Sequence, residues 1–133
     1  MADWSDVGRI STGLPGVDTA TGHAGLRQWK VRGKPIAWER PLRNSDYEAL
    51  GAEAPEGPIL GVWTPDLVAK EALIASEPDV YFTTPHFDGY PSVLIRLEHI
   101  PVDELEELIV EAWLDRAPKR MAQSWIEEHT DNT

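Results

Sequence analysis

The chain has 133 residues, no Cys, 41% hydrophobic and 26% charged residues, and a formal net charge of −11. This composition fits one soluble domain that buries its core without covalent staples. The lack of Cys excludes disulfides, thiolate metal sites and a thiol nucleophile.

The charge is uneven. Residues 27–43 hold Arg27, Lys30, Arg32, Lys34, Arg40 and Arg43 against Glu39, a local +5 that leaves −16 for the remainder. The opening Met1-Ala2-Asp3-Trp4-Ser5-Asp6 lacks the basic and apolar regions of a signal peptide. No run approaches the ~20 apolar residues of a membrane span. A cytoplasmic protein with no membrane partner is expected.

Trp4, Val7, Ile10 and Leu14 recur at helical steps, predicting a helix from Asp3 to about Gly13, stopped by Leu14-Pro15-Gly16. Thr19 to Gly25 reads as a loop or frayed strand entry. Leu26 to Arg32 alternates, with Trp29 and Val31 on one face and Lys30 and Arg32 on the other. Gly33-Lys34 supplies a turn, and Ile36 to Arg40 alternates again, completing a hairpin.

Pro41 ends that strand, and Ser45 with Glu48 has capping-box spacing for a short helical turn. Gly51 to Pro58 is a loop, and Ile59 to Trp63 a short apolar strand. Thr64-Pro65 has the order of an N-cap and first helical residue, before a helix carrying Leu67, Val68, Ala72, Leu73 and Ala75. Val80–Thr83 and Ser92–Leu97 are strands joined by a loop that contains the turn signal Asp88-Gly89.

Asp103 and Glu106 predict a second capping box. The helix beyond it carries Leu105, Leu108, Ile109, Ala112 and Trp113 on one stripe. After Pro118, a final helix is marked by Met121, Ala122, Trp125 and Ile126. These elements predict a single α+β domain over 1–133, its core spanning about residues 4–126, with an antiparallel sheet covered by helices. Trp29, Val31, Trp38, Trp63, Phe82, Val93, Ile95, Leu105, Leu108, Ile109 and Trp113 are expected to form one core.

Three phrases carry a resemblance: Trp29-Lys-Val-Arg-Gly-Lys-Pro-Ile-Ala-Trp-Glu-Arg-Pro41, Tyr81-Phe-Thr-Thr-Pro-His-Phe-Asp-Gly-Tyr-Pro91 and Leu114-Asp-Arg-Ala-Pro-Lys-Arg120. In this order they resemble the MmcQ/YjbR family of small bacterial proteins. The resemblance implies an α-β-β-β-α-β-β-α arrangement similar to type III secretion chaperones, here with a possible extra C-terminal helix. It also implies the label its members often carry, DNA binding through exposed β-ribbons acting as wings.

The residues offer two sites. A ribbon bearing Arg27, Lys30, Arg32, Lys34, Arg40 and Arg43 could contact DNA phosphates, although −16 elsewhere predicts weak, salt-sensitive binding. Alternatively, Trp38, His86, Asp88, Tyr90 and Arg96 could line a small-molecule pocket between the sheet and the C-terminal helices. A third reading, by analogy with the chaperones, is protein interaction through the acidic helices or the sheet, the helices suiting a basic partner. His23, His86, His99 and His129 lack metal-ligand spacing, and neither a nucleophile elbow nor a phosphate-binding Gly motif occurs. No catalytic residue, metal or cofactor is expected.

Overall fold

The computed structural model describes residues 2–55, 57–87 and 89–130, with the side chains of His23, Glu53, His86 and Thr130 outside the description. The helices are α1 (Trp4–Thr12), α2 (Asn44–Leu50), α3 (Leu67–Ser76), α4 (Val102–Arg116) and α5 (Lys119–Thr130). The strands are β1 (Val17–Thr21), β2 (Arg27–Val31), β3 (Lys34–Glu39), β4 (Ile59–Trp63), β5 (Tyr81–Phe82) and β6 (Ser92–Arg96). They form one fully antiparallel sheet in the order β1-β2-β3-β4-β6-β5. The α+β class holds, and the predicted order matches roughly, with β1 and the short α2 added to it. β1 is a full strand where the polar Thr19–Gly25 stretch reads as a loop.

Local chemistry sets the helix starts. Asp3 and Asp6 cap α1 reciprocally, each carboxylate accepting the other's backbone N–H at 3.0 Å. At α3 the cap is Asp66, which accepts from Ala69 N at 2.8 Å. Thr64, the predicted cap, lies two residues ahead of it, its N–H donating to Pro91 O at 2.8 Å and its Oγ1 to Asp66 O at 3.2 Å. At α2 it is Asp46 that accepts, from Arg43 N at 2.8 Å, two residues ahead of the predicted Ser45–Glu48 box. α4 starts after Pro101 with no side-chain cap, which displaces the expected Asp103–Glu106 box into the first turn.

The β2–β3 connection is a two-residue turn, Arg32-Gly33, with φ of 52° and 81°. Positive φ at both central residues is the type I′ signature that matches strand twist. Arg32 therefore stands at the tip, and Lys34 is the first residue of β3. Between Trp29 and Lys30 the register shifts, from Trp29↔Ala37 to Lys30↔Pro35, and leaves Ile36 as an extra residue. This bulge buries the consecutive Ile36 and Ala37 and turns Trp38 to the opposite face.

The main core follows on one face of the sheet. Trp29, Val31, Val62, Val93 and Ile95 meet Leu105, Leu108, Ile109 and Trp113 of α4. Two expected members lie elsewhere. Phe82 joins Ile59 and Leu94 on the second face, under Leu42, Leu50 and Phe87. Trp38 shares that second face, and Trp63 is only partly buried against the main core. No described helix is long and apolar enough to cross a membrane.

Candidate functional site

The second face carries a cavity of about 280 Å³. Its lining begins with the strands: Gln28 of β2, Trp38 of β3, Trp63 of β4 and Ser92 of β6. Gln28 and Trp38 are cross-strand partners, as are Trp63 and Ser92. Phe87 and Tyr90 of the β5–β6 connection close one side, and Pro35 and Arg116 the other.

Trp38 needs a glycine beside it. Its partner across β4 is Gly61, where a Cβ would fall 2.9 Å from Trp38 Cδ1 and closer still to Nε1 and Cε2. The indole lies over bare backbone, a way of stabilising a strand glycine with an aromatic neighbour.

The β5–β6 connection is anchored from outside the cavity. Lys70 of α3 is buried, and its Nζ donates to Phe87 O at 2.6 Å and Tyr90 O at 3.0 Å. Both residues contribute rings to the lining, set edge to face with centroids 6.5 Å apart. On α3 it is Lys70 that is buried, while Leu67 and Val68 are exposed. Tyr90 is 59% exposed at the rim.

Arg116 is the cation at this site. Its guanidinium carbon sits 3.7 Å from the Trp63 ring centroid, and Nη1 donates to Pro35 O at 3.0 Å. Burial pushes its pKa below the ordinary arginine value, only partly opposed by the charge of Asp115. Asp115 itself accepts a 2.7 Å hydrogen bond from Trp63 Nε1. Ser92 is 1% exposed, and its Oγ has no hydrogen-bond partner among the described residues. A cavity with aromatic walls and a few polar groups is the usual form of a small-molecule site.

The cations of residues 27–43 divide into two groups. Arg27 is spent on Glu39, donating from Nε at 3.0 Å and Nη2 at 3.3 Å, and lies over Trp4 and Trp29. The hydrogen bond to Glu39 raises the Arg27 pKa, and the same contact lowers that of Glu39. Arg40 is buried, its Nη2 3.0 Å from Asp46 Oδ2 and its guanidinium over Phe87. Burial alone would raise the Asp46 pKa; the Arg43 N–H and the Arg40 charge outweigh it and hold the carboxyl below its ordinary value. Lys30, Arg32, Lys34 and Arg43 make no ion pair among the described residues.

Of the residues expected at a pocket, Trp38 and Tyr90 come together at the cavity. Arg96 lies elsewhere, over Phe82 at 4.8 Å with Nη1 donating to Pro78 O at 2.9 Å. The His86 side chain and Asp88 lie outside the described residues. Sequence reasoning missed Gln28, Trp63, Phe87, Ser92, Arg116 and the anchoring Lys70. Phe87 and Arg116 stand inside two of the phrases that carry the family resemblance, which is the signal that was available for them. Among the described residues, no group of three or more His, Asp or Glu side chains is placed to hold a metal ion.

Fold and site together define a small α+β domain with its main core under α1 and α4 on one sheet face, and α2 and an aromatic cavity on the other. The chain belongs to the YjbR family, whose model matches residues 12–115. Uncharacterised proteins of Mycobacterium tuberculosis and Mycobacterium bovis are 56% identical over 129 residues, covering 95% of this chain and 97% of theirs. A crystal structure of a Deinococcus radiodurans protein with a DUF419 domain has a similar fold, at a TM-score of 0.64 and 17% identity. That match covers 86% of this chain and 78% of the other.

Proposed function

We propose that the protein binds a small organic ligand in the aromatic cavity. One observation carries this reading: Trp38, Trp63, Phe87 and Tyr90, from three separate segments of the chain, converge on one concavity that also holds Arg116 and the buried hydroxyl of Ser92. At about 280 Å³ the cavity lies at the small end of ligand sites, which run from roughly 300 to 1,000 Å³. It suits a compound of one or two rings. Ligand-observed NMR with a library of small ring compounds tests the reading. Saturable binding that Trp38→Ala abolishes is expected; hits that bind the variant equally well refute it.

A second reading keeps nucleic acid as partner, on a separate observation. Lys30, Arg32 and Lys34 lie at the turn end of one hairpin and, like Arg43 beyond the other end of β3, have no carboxylate partner among the described residues. With Arg27 and Arg40 engaged elsewhere, three or four phosphate contacts remain. The slope of log affinity against log salt is then roughly −3 to −4. Titration of a labelled duplex at low and physiological salt checks this, and affinity that survives replacing Lys30, Arg32 and Lys34 by Ala would remove the hairpin from consideration.

A further inference from the structure

Resting on the reading of the cavity as a ligand site, we propose that its ligand is a flat aromatic carboxylate, with Arg116 as the counter-charge. The walls set the shape. Indole and phenyl rings stack or meet edge to face with other rings, and so favour a planar ring over a branched or globular group.

The charge sets the sign. Arg116 is the one charged residue of the described lining, which contains no Asp or Glu. A guanidinium carries five N–H donors in a planar fork that matches a carboxylate. Among the described residues that fork makes one hydrogen bond, from Nη1 to Pro35 O, besides lying over the Trp63 ring.

The neighbouring carboxylate does not neutralise the guanidinium. Asp115 Oδ2 is held by Trp63 Nε1 at 2.7 Å, and Asp115 forms no ion pair with Arg116. The downward pKa shift that burial gives Arg116 has the same meaning, a charge partly desolvated and incompletely compensated. An entering carboxylate restores the balance. An ammonium would instead be brought beside a fixed positive charge, so the cation–π recognition that such rings otherwise offer is disfavoured here. Ser92 Oγ, without a partner among the described residues, offers a hydroxyl to a polar substituent on the ring.

Three probes of one shape separate the possibilities: indole-3-acetate, indole-3-acetamide and tryptamine, titrated calorimetrically into the intact protein. The acid should bind at least about tenfold more tightly than the amide, and tryptamine most weakly. Arg116→Gln should reduce the acid to the affinity of the amide while changing the amide itself by less than about twofold. The acid–amide comparison needs no variant, so it stands even if Arg116→Gln does not fold. Equal affinities, a preference for tryptamine, or an acid preference that survives Arg116→Gln would overturn the inference and leave the cavity a ligand site. Failure of all three probes to bind at about 10 mM would overturn both.

Discussion

The two faces of the sheet use the same strands for opposite ends. On the helical side, Trp29, Val31, Val62, Val93 and Ile95 are essentially inaccessible, sealed by α1 and α4. On the other side, the alternate residues make a small cluster of Ile59, Phe82 and Leu94, and beyond it Trp38, Trp63 and Tyr90 stay partly open around a cavity. Burial of apolar surface is the main source of stability, so the first face holds the fold together. Rings left half-covered on the second give up some of that stabilisation and leave surface for a ligand. A domain of this size can specialise its faces because the side-chain period of a strand is two.

The comparison is sharpest when one aromatic is removed from each face. Trp113→Ala, which empties a fully buried site and loses the Nε1 bond to Pro15 O, should cost about 3–5 kcal/mol in denaturant unfolding. Trp38→Ala should cost less than half as much while abolishing ligand binding. Equal losses would mean that the second face is as structural as the first.

Next in size is the buried pair beside the second face. Asp46→Asn leaves Arg40 without its counter-charge and should destabilise by about 3 kcal/mol. Because the Asp46 pKa is lowered in the fold, its contribution is complete above the unfolded carboxyl value, near 3.9, and is lost as pH falls through the folded value. The variant should therefore lose part of the wild-type decline in stability below about pH 4. An unchanged acid limb would show that this pair is not its source.

The smallest effect is expected at Gly61. Valine is the better strand former, yet Gly61→Val should destabilise by about 1–3 kcal/mol, because its side chain needs the space that Trp38 occupies. Ligand affinity should fall with it, as Trp38 is displaced. Stabilisation, with affinity intact, would mean that the indole has another resting place.

Much of the fold was legible because local patterns and tertiary packing agree. The Leu105–Trp113 stripe, the Trp29/Val31 alternation and the Asp3 start of α1 were all read from spacing. β1 was not, since Asp18, Thr19 and Thr21 lack apolar alternation and the strand exists through its pairing with β2. Simple alternation from Ile36 places Trp38 in the core, but the bulge interrupts that alternation. Half of the candidate site stayed hidden for a similar reason. Residues 28, 63, 92 and 116 are neighbours only across strands or from the last turn of α4.

Charge marks the limit most clearly. The sequence by itself determined that residues 27–43 concentrate positive charge, that the rest of the chain is acidic, and that helices alternate with antiparallel strands; composition and periodicity are local properties. Only the tertiary structure decided that Arg27 and Arg40 spend their charges on Glu39 and Asp46, that Lys70 turns inward to hold Phe87 and Tyr90, and that Arg116 reaches the aromatic cavity. The function of a charged side chain depends on which group folding brings within a few ångströms of it, and those partners lie up to 81 residues away along the chain, as Pro35 does from Arg116.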